Sequence, residues 1–236
     1  AALLLGGPET FRTDRPGLQV LRGIGMTLSS ILFIIGLGYM PIAEMTAINF
    51  VAPVFITALS VLLLGERVGL RRWAAAFVGL IGVAIIVRPG TGAFQWAALL
   101  PIASSSVWAF SAVATRMMAG SNRPETTLVY STVVPVLLLT AALPFVWAPI
   151  GWRELWIGVF VGVTSTVGHW FVVRAFRAAR ASTIAPFTYV QLLWATGLGF
   201  LAFGNLPDRW TFVGAGVIIA AGLYTAHRER VRARLG

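Results

Sequence analysis

Residues 43–90 read AEMTAINFVAPVFITALSVLLLGERVGLRRWAAAFVGLIGVAIIVRPG, and this stretch decides the fold. It holds two apolar segments, 45–65 and 73–87, joined by the charged turn Glu66-Arg67-Val68-Gly69-Leu70-Arg71-Arg72. The first runs for about twenty residues without a charge, and at ~1.5 Å per residue that crosses a ~30 Å hydrocarbon core. The second is shorter, and Arg72 and Arg88 can snorkel so that it reaches both faces. Pro53 sits inside the first segment, where the helix of a water-soluble protein loses about 3 kcal/mol. In lipid such a break survives only where neighbouring helices or a cavity satisfy the freed carbonyl. The stretch predicts a helical hairpin with a break in its first arm.

Much of this pattern returns 139 residues later. Gly65-Glu66-Arg67-Val68 is answered by Gly204-Asn205-Leu206-Pro207, and Trp73 by Phe212. Pro53 has a counterpart in Pro186, shifted by two turns. The match is weak residue by residue and consistent in order, as in the internal repeats of transporters.

The run Pro41-Ile42-Ala43-Glu44, then Asn49 to Phe55, Leu64-Gly65-Glu66-Arg67, Gly79, Gly82 and Arg88-Pro89-Gly90 resembles the first repeat of EamA-type carriers, in the drug/metabolite transporter superfamily. The resemblance covers nearly the whole chain, with 181–224 as part of the second repeat. It implies an all-α polytopic membrane protein of two inverted five-helix repeats around a cavity that opens alternately to each side. On that pattern residues 1–90 form the first repeat and 91–236 the second, inverted one, in a single structural unit. It further implies a permease of the bacterial inner membrane. The first run also resembles a subgroup that includes riboflavin and S-adenosylmethionine carriers.

Composition agrees. Apolar residues make up 58% and charged residues 11% of 236, against about 25% charged in a soluble domain. The net charge is +10, and all 18 basic residues are arginine. They lie between apolar segments rather than in one patch, which excludes a nucleic-acid surface. With no cysteine, neither a disulfide framework nor a thiolate metal site is available.

Eight full spans are expected, at 17–40, 45–64, 72–87, 95–117, 126–147, 155–176, 181–203 and 210–226. Residues 1–7 form an apolar stub too short to cross a bilayer. Against the family pattern it corresponds to the end of a second helix, so the chain is expected to be a fragment whose first repeat is incomplete. Alternate connections carry fifteen arginines, Arg22 among them, and the opposite set only Arg88, Arg153 and Arg209. By the positive-inside rule the first set and the C-terminus are cytoplasmic. Five spans separate the repeats, an odd number, so the second must be inverted.

Several residues have a structural and a functional reading. Glu66 lies with Arg67 and Arg71 in a turn, where a charge network is the plainer account. Glu44 stands at a helix mouth and reads as a cap before it reads as a gate. Gly79, Gly82, Gly214, Gly216 and Gly222 stand at helix-packing spacings, within the chain or between two copies in a homodimer. His169 is the one ionisable group well inside a predicted span, with Ser165 one turn before it. No orienting carboxylate or nucleophile motif accompanies that pair, so an intramembrane enzyme is disfavoured. A hydrogen-bonded bundle histidine and a solute-contacting one both stay open.

The candidate solute site is the polar and aromatic set near mid-span, Ser30, Ser105, Trp108, His169, Tyr189, Gln191 and Trp194, with Asn49 nearer the periplasm. Asn49 and Gln191 weigh most, because hydrocarbon cannot satisfy a primary amide. Pro53 and Pro186 are helix breaks that free the carbonyls of Asn49 and Ser182. On the repeat offset Ser30 pairs with His169, Phe50 with Tyr189, Ala52 with Gln191 and Phe55 with Trp194. Such a wall suits a planar or amphipathic small molecule, such as a vitamin, a nucleoside-like compound or an amino-acid metabolite. It suits a phosphate ester poorly, since no arginine reaches mid-span. The expectation is a secondary carrier working by alternating access, without catalytic residue, cofactor or metal. A non-catalytic scaffold or a small channel is the alternative.

Overall fold

The computed structural model describes residues 12–65, 69–88, 96–118, 124–178, 190–204 and 207–235. Among them are nine α-helices: α1 Pro16–Leu37, α2 Ile42–Asn49, α3 Ala52–Leu64, α4 Leu70–Val87, α5 Leu99–Met117, α6 Pro124–Val146, α7 Trp152–Ala178, α8 Val190–Phe203 and α9 Arg209–Leu235. A single 3₁₀ turn, Trp96–Ala98, leads into α5. Four stretches are long and apolar enough to cross a membrane: Pro16–Leu37, Ile42–Leu64, Trp96–Met117 and Glu125–Val146. Trp73–Val87, Trp194–Phe203 and Arg209–Tyr224 are shorter apolar helices.

The predicted break is present, and it falls slightly ahead of the proline. The expected single span 45–64 is two helices, α2 and α3, parted at Phe50 and Val51. Pro53 lies in the first turn of α3, where its missing N–H costs nothing. The backbone ahead of it tightens to bonds spanning three residues, Phe50 N–H to Ala47 O at 3.3 Å and Val51 N–H to Ile48 O at 3.0 Å. Gly65 closes α3 in the left-handed region, at φ 63°.

The eight-residue α2 is the hub, touching α1, α4, α5, α8 and α9. Its Met45, Ala47 and Ile48 are fully buried. They form one cluster with Val83 and Ile86 of α4, Ala97 and Ala98 before α5, and Ala215 and Ile218 of α9. By contrast, the side chains from Trp152 to Gly168 in α7 are exposed, as apolar groups in a bilayer can be without cost.

Helices approach closely where side chains are small. A Cβ on Gly82 of α4 would lie 2.8 Å from the Gly214 carbonyl oxygen of α9, and one on Gly23 of α1 would lie 2.7 Å from Val134 Cβ of α6. Helices α1 and α5 are also stitched by Ser29 and Ser104, each hydroxyl donating to the other's carbonyl at 2.9 and 2.8 Å. Buried in a protein interior facing lipid, such pairs replace the hydrophobic drive that water supplies elsewhere.

The last helix continues past the expected span 210–226 to Leu235, because nothing after Gly222 breaks it and arginine is a good helix former. One expectation changes. Arg22, counted above with the arginines of a connecting loop, lies inside α1 and is only 4% exposed.

The close crossing predicts that Gly214→Leu destabilises the protein by about 1–3 kcal/mol through overpacking. Gly216→Leu, two residues on, meets nothing within 4 Å and should leave the melting temperature unchanged or higher. Thermal unfolding of the two variants in detergent checks this.

Candidate functional site

Asn49 ends α2 at the break, half-buried. Its amide oxygen Oδ1 is buried without a hydrogen-bond partner among the described residues. A buried acceptor left unmet costs about 1–3 kcal/mol, so it marks a place where something polar belongs. Beyond the break, Phe55, Ala58 and Leu59 of α3 face Ser106, Val107 and Phe110 of α5 across an apolar cavity of about 310 Å³. Phe55 follows Asn49 by six residues along the broken helix.

The other expected site residues fall differently. Ser105 is fully buried, and its hydroxyl donates to the Ile102 carbonyl of its own helix at 2.9 Å. Ser106 does the same to Ala103 at 2.8 Å. Ser30 is exposed, and Trp108 is 42% exposed on α5. On α8, which packs against α2, Gln191 is exposed and Trp194 is 64% exposed. His169 belongs to α7, but its side chain lies outside the described residues, as do Tyr189 and Pro186. The structure therefore brings α2, α3, α5 and α8 together without settling one wall formed by all eight residues. The cavity residues Ala58, Leu59, Val107 and Phe110 escaped the sequence reading because nothing distinguishes an apolar residue facing a cavity from one facing lipid.

At one end of the α4/α9 pair, Arg88 Nη2 donates to Asp208 Oδ2 at 2.6 Å. Asp208 also caps α9, its Oδ1 accepting from the Thr211 N–H and hydroxyl, both at 2.8 Å. Arg88 adopts the left-handed conformation at φ 49°, uncommon for a non-glycine residue, as it closes α4. Partial burial pushes the Asp208 carboxyl up, but the Thr211 N–H and hydroxyl and the Arg88 guanidinium outweigh it and hold the group below the usual carboxylate range.

Among the described residues no group of three or more His, Cys, Asp or Glu could hold a metal ion.

Comparison with known proteins identifies the architecture. The chain matches the EamA-like transporter family over residues 2–88 and 95–226. It belongs to that family. It is similar to a riboflavin transporter of Rhizobium johnstonii, 33% identical over 97% of this chain and 76% of the relative. A riboflavin transporter of Vibrio cholerae is 30% identical, over 98% of this chain and 78% of the relative. An S-adenosylmethionine uptake transporter of Rickettsia prowazekii is 26% identical, over 95% and 76%. A solved crystal structure at 19% identity, covering 94% of this chain and 79% of its own, superposes with a TM-score of 0.63, a likeness of fold. The protein is thus an integral-membrane secondary transporter of a small organic metabolite, not an enzyme.

A carboxyl held low binds its proton less readily folded than unfolded. Asp208 therefore contributes stability above the ordinary carboxylate range, and loses it as pH falls through its lowered pKa. Asp208→Asn, which keeps a capping side chain and loses the charge, should lower the melting temperature at neutral pH, through a stability loss of up to about 1 kcal/mol for so exposed a pair. The gap from wild type should close as pH falls below the ordinary carboxylate range, and a gap that stays constant from neutral to acid would show that the charge is irrelevant.

Proposed function

We propose that the carrier moves a planar, ring-bearing metabolite such as riboflavin by alternating access, through a site at the α2/α3 break. The observation that carries this is the orphaned Asn49 amide at the break, on the same broken helix as Phe55, which with Phe110 lines the cavity six residues further on. Aromatic rings offer stacking surface to a flat solute, and an unmet amide fixes its orientation. The two riboflavin transporters among the relatives support the same class. Ser30, Ser105, Trp108, His169, Tyr189, Gln191 and Trp194 complete the wall on this reading, with the second proline, Pro186, breaking the opposite helix.

Residues 1–90 and 91–236 act as inverted repeats that rock against each other, across eight spans in a bacterial inner membrane. The α4/α9 pair supports that division. These helices start 139 residues apart and meet antiparallel, Gly82 against Gly214 and Arg88 against Asp208. Even with the buried Arg22 set aside, a fourteen-to-three arginine asymmetry supports a cytoplasmic C-terminus.

Riboflavin added to the purified protein should raise its melting temperature, because a ligand that binds the folded state stabilises it. Phe110→Ala and Trp194→Ala should each weaken that binding by about 1–3 kcal/mol, the worth of a lost stacking surface. The apolar swap Leu201→Val, at an exposed position of α8, should change little. Unaltered riboflavin affinity in both aromatic variants would remove the site from this cavity.

A further inference from the structure

Away from the break, α1 carries a second polar group that the solute site does not use. Arg22 lies six residues inside α1, roughly 9 Å along its axis, at 4% exposure. Its Nε donates to Thr115 Oγ1 of α5 and its Nη1 to Ser131 Oγ of α6, both at 2.5 Å. Those two hydroxyls give their own protons to the carbonyls of Ser111 and Thr127, so they offer the guanidinium only lone pairs. No carboxylate among the described residues bonds Arg22. One turn earlier, Gln19 is fully buried. Its Nε2 donates to Thr127 Oγ1 at 3.2 Å, and its Oε1 has no partner among the described residues.

As mere glue this arrangement is wasteful. Serine or glutamine at position 22 would bond α5 and α6 without taking a full charge out of water, a step that costs several kcal/mol. Two needs are left: an anion for the guanidinium and an N–H donor for the Gln19 oxygen. Residues 19 and 22 share a helix face with Cβ atoms about 5–6 Å apart, so one small group can meet both. A carboxylate with an N–H donor beside it, as in an α-amino-acid head, has that chemistry. Its hydrogen bonds to arginine are roughly twice as strong as those of neutral hydroxyls. It can therefore displace Thr115 and Ser131 once α6 moves off α1.

We propose that Arg22 and Gln19 form a second recognition point, closed in this conformation, for a solute carboxylate flanked by an N–H donor. This rests on the alternating-access reading and extends the solute class to carboxylate-bearing metabolites, with the seam between α1 and α6 as the part that opens.

The test uses the purified full-length chain and two probes that differ by one carboxylate, S-adenosylmethionine and its decarboxylated form, read by thermal shift. Wild type should bind the carboxylate probe at least about tenfold more tightly, the worth of one charge-assisted bond. Arg22→Gln should abolish the difference, and Arg22→Lys, which keeps the charge and loses the fork, should keep part of it. The riboflavin response should persist in both, which separates loss of this point from loss of the fold. Equal wild-type affinity for the two probes overturns the proposal, as does full carboxylate preference in Arg22→Gln or, should that variant fail to fold, in Arg22→Lys. Riboflavin binding without any S-adenosylmethionine binding overturns it and leaves the cavity reading standing. Carboxylate-dependent binding without a riboflavin response would do the reverse.

Discussion

Hydrocarbon offers no hydrogen bonds, and the whole structure turns on how one broken helix copes with that. The break at Phe50 and Val51 would leave backbone groups stranded in lipid, so the chain surrounds it. Helix α2 ends there with Met45, Ala47 and Ile48 fully buried, and α1, α4, α5, α8 and α9 all press against it. Three-residue hydrogen bonds recover part of what the break removes. What they do not recover is the Asn49 side chain, whose amide oxygen stays unmet at the break.

Around that hub, helices are held by close approach rather than by large apolar side chains. Gly82 and Gly214 let α4 and α9 meet backbone to backbone, while Gly23 and Gly25 of α1 make room for the side chains of Val134 on α6 and Ser111 on α5. Where side chains do join helices they are hydroxyls, as at Ser29 with Ser104, or charged pairs at helix ends, as at Arg88 with Asp208. This division has a physical basis. Lipid tails compete with leucine for apolar contact, and they cannot compete with a serine for a carbonyl.

Much of the fold was legible in the sequence, because the signals are strong and one-dimensional. Long uncharged runs gave the helices, and Pro53 gave the break to within three residues. Less of the site was legible. Polar residues at mid-span read alike whether they glue helices or face a solute, and Ser105 donates to its own helix, with its neighbour Ser104 bonded to Ser29. Asn49 stood out because an amide cannot satisfy itself, and its oxygen is indeed unmet, whereas Phe110 could not stand out in a span that is apolar throughout. Arg22 shows the limit most clearly. A charge near a helix end reads as a loop signal, and only packing reveals that α5 and α6 have closed over it.

The central claim is that the Asn49 amide is kept unmet for a solute. Asn49→Leu in the purified full-length chain, followed by thermal unfolding and riboflavin binding, tests it directly. If the amide serves the solute, removing an unmet buried polar group should leave the melting temperature unchanged or raised, while riboflavin affinity falls by about tenfold, one hydrogen bond's worth. A lowered melting temperature with unchanged riboflavin affinity would contradict the account, because it would make Asn49 a structural residue and the break an accident of packing.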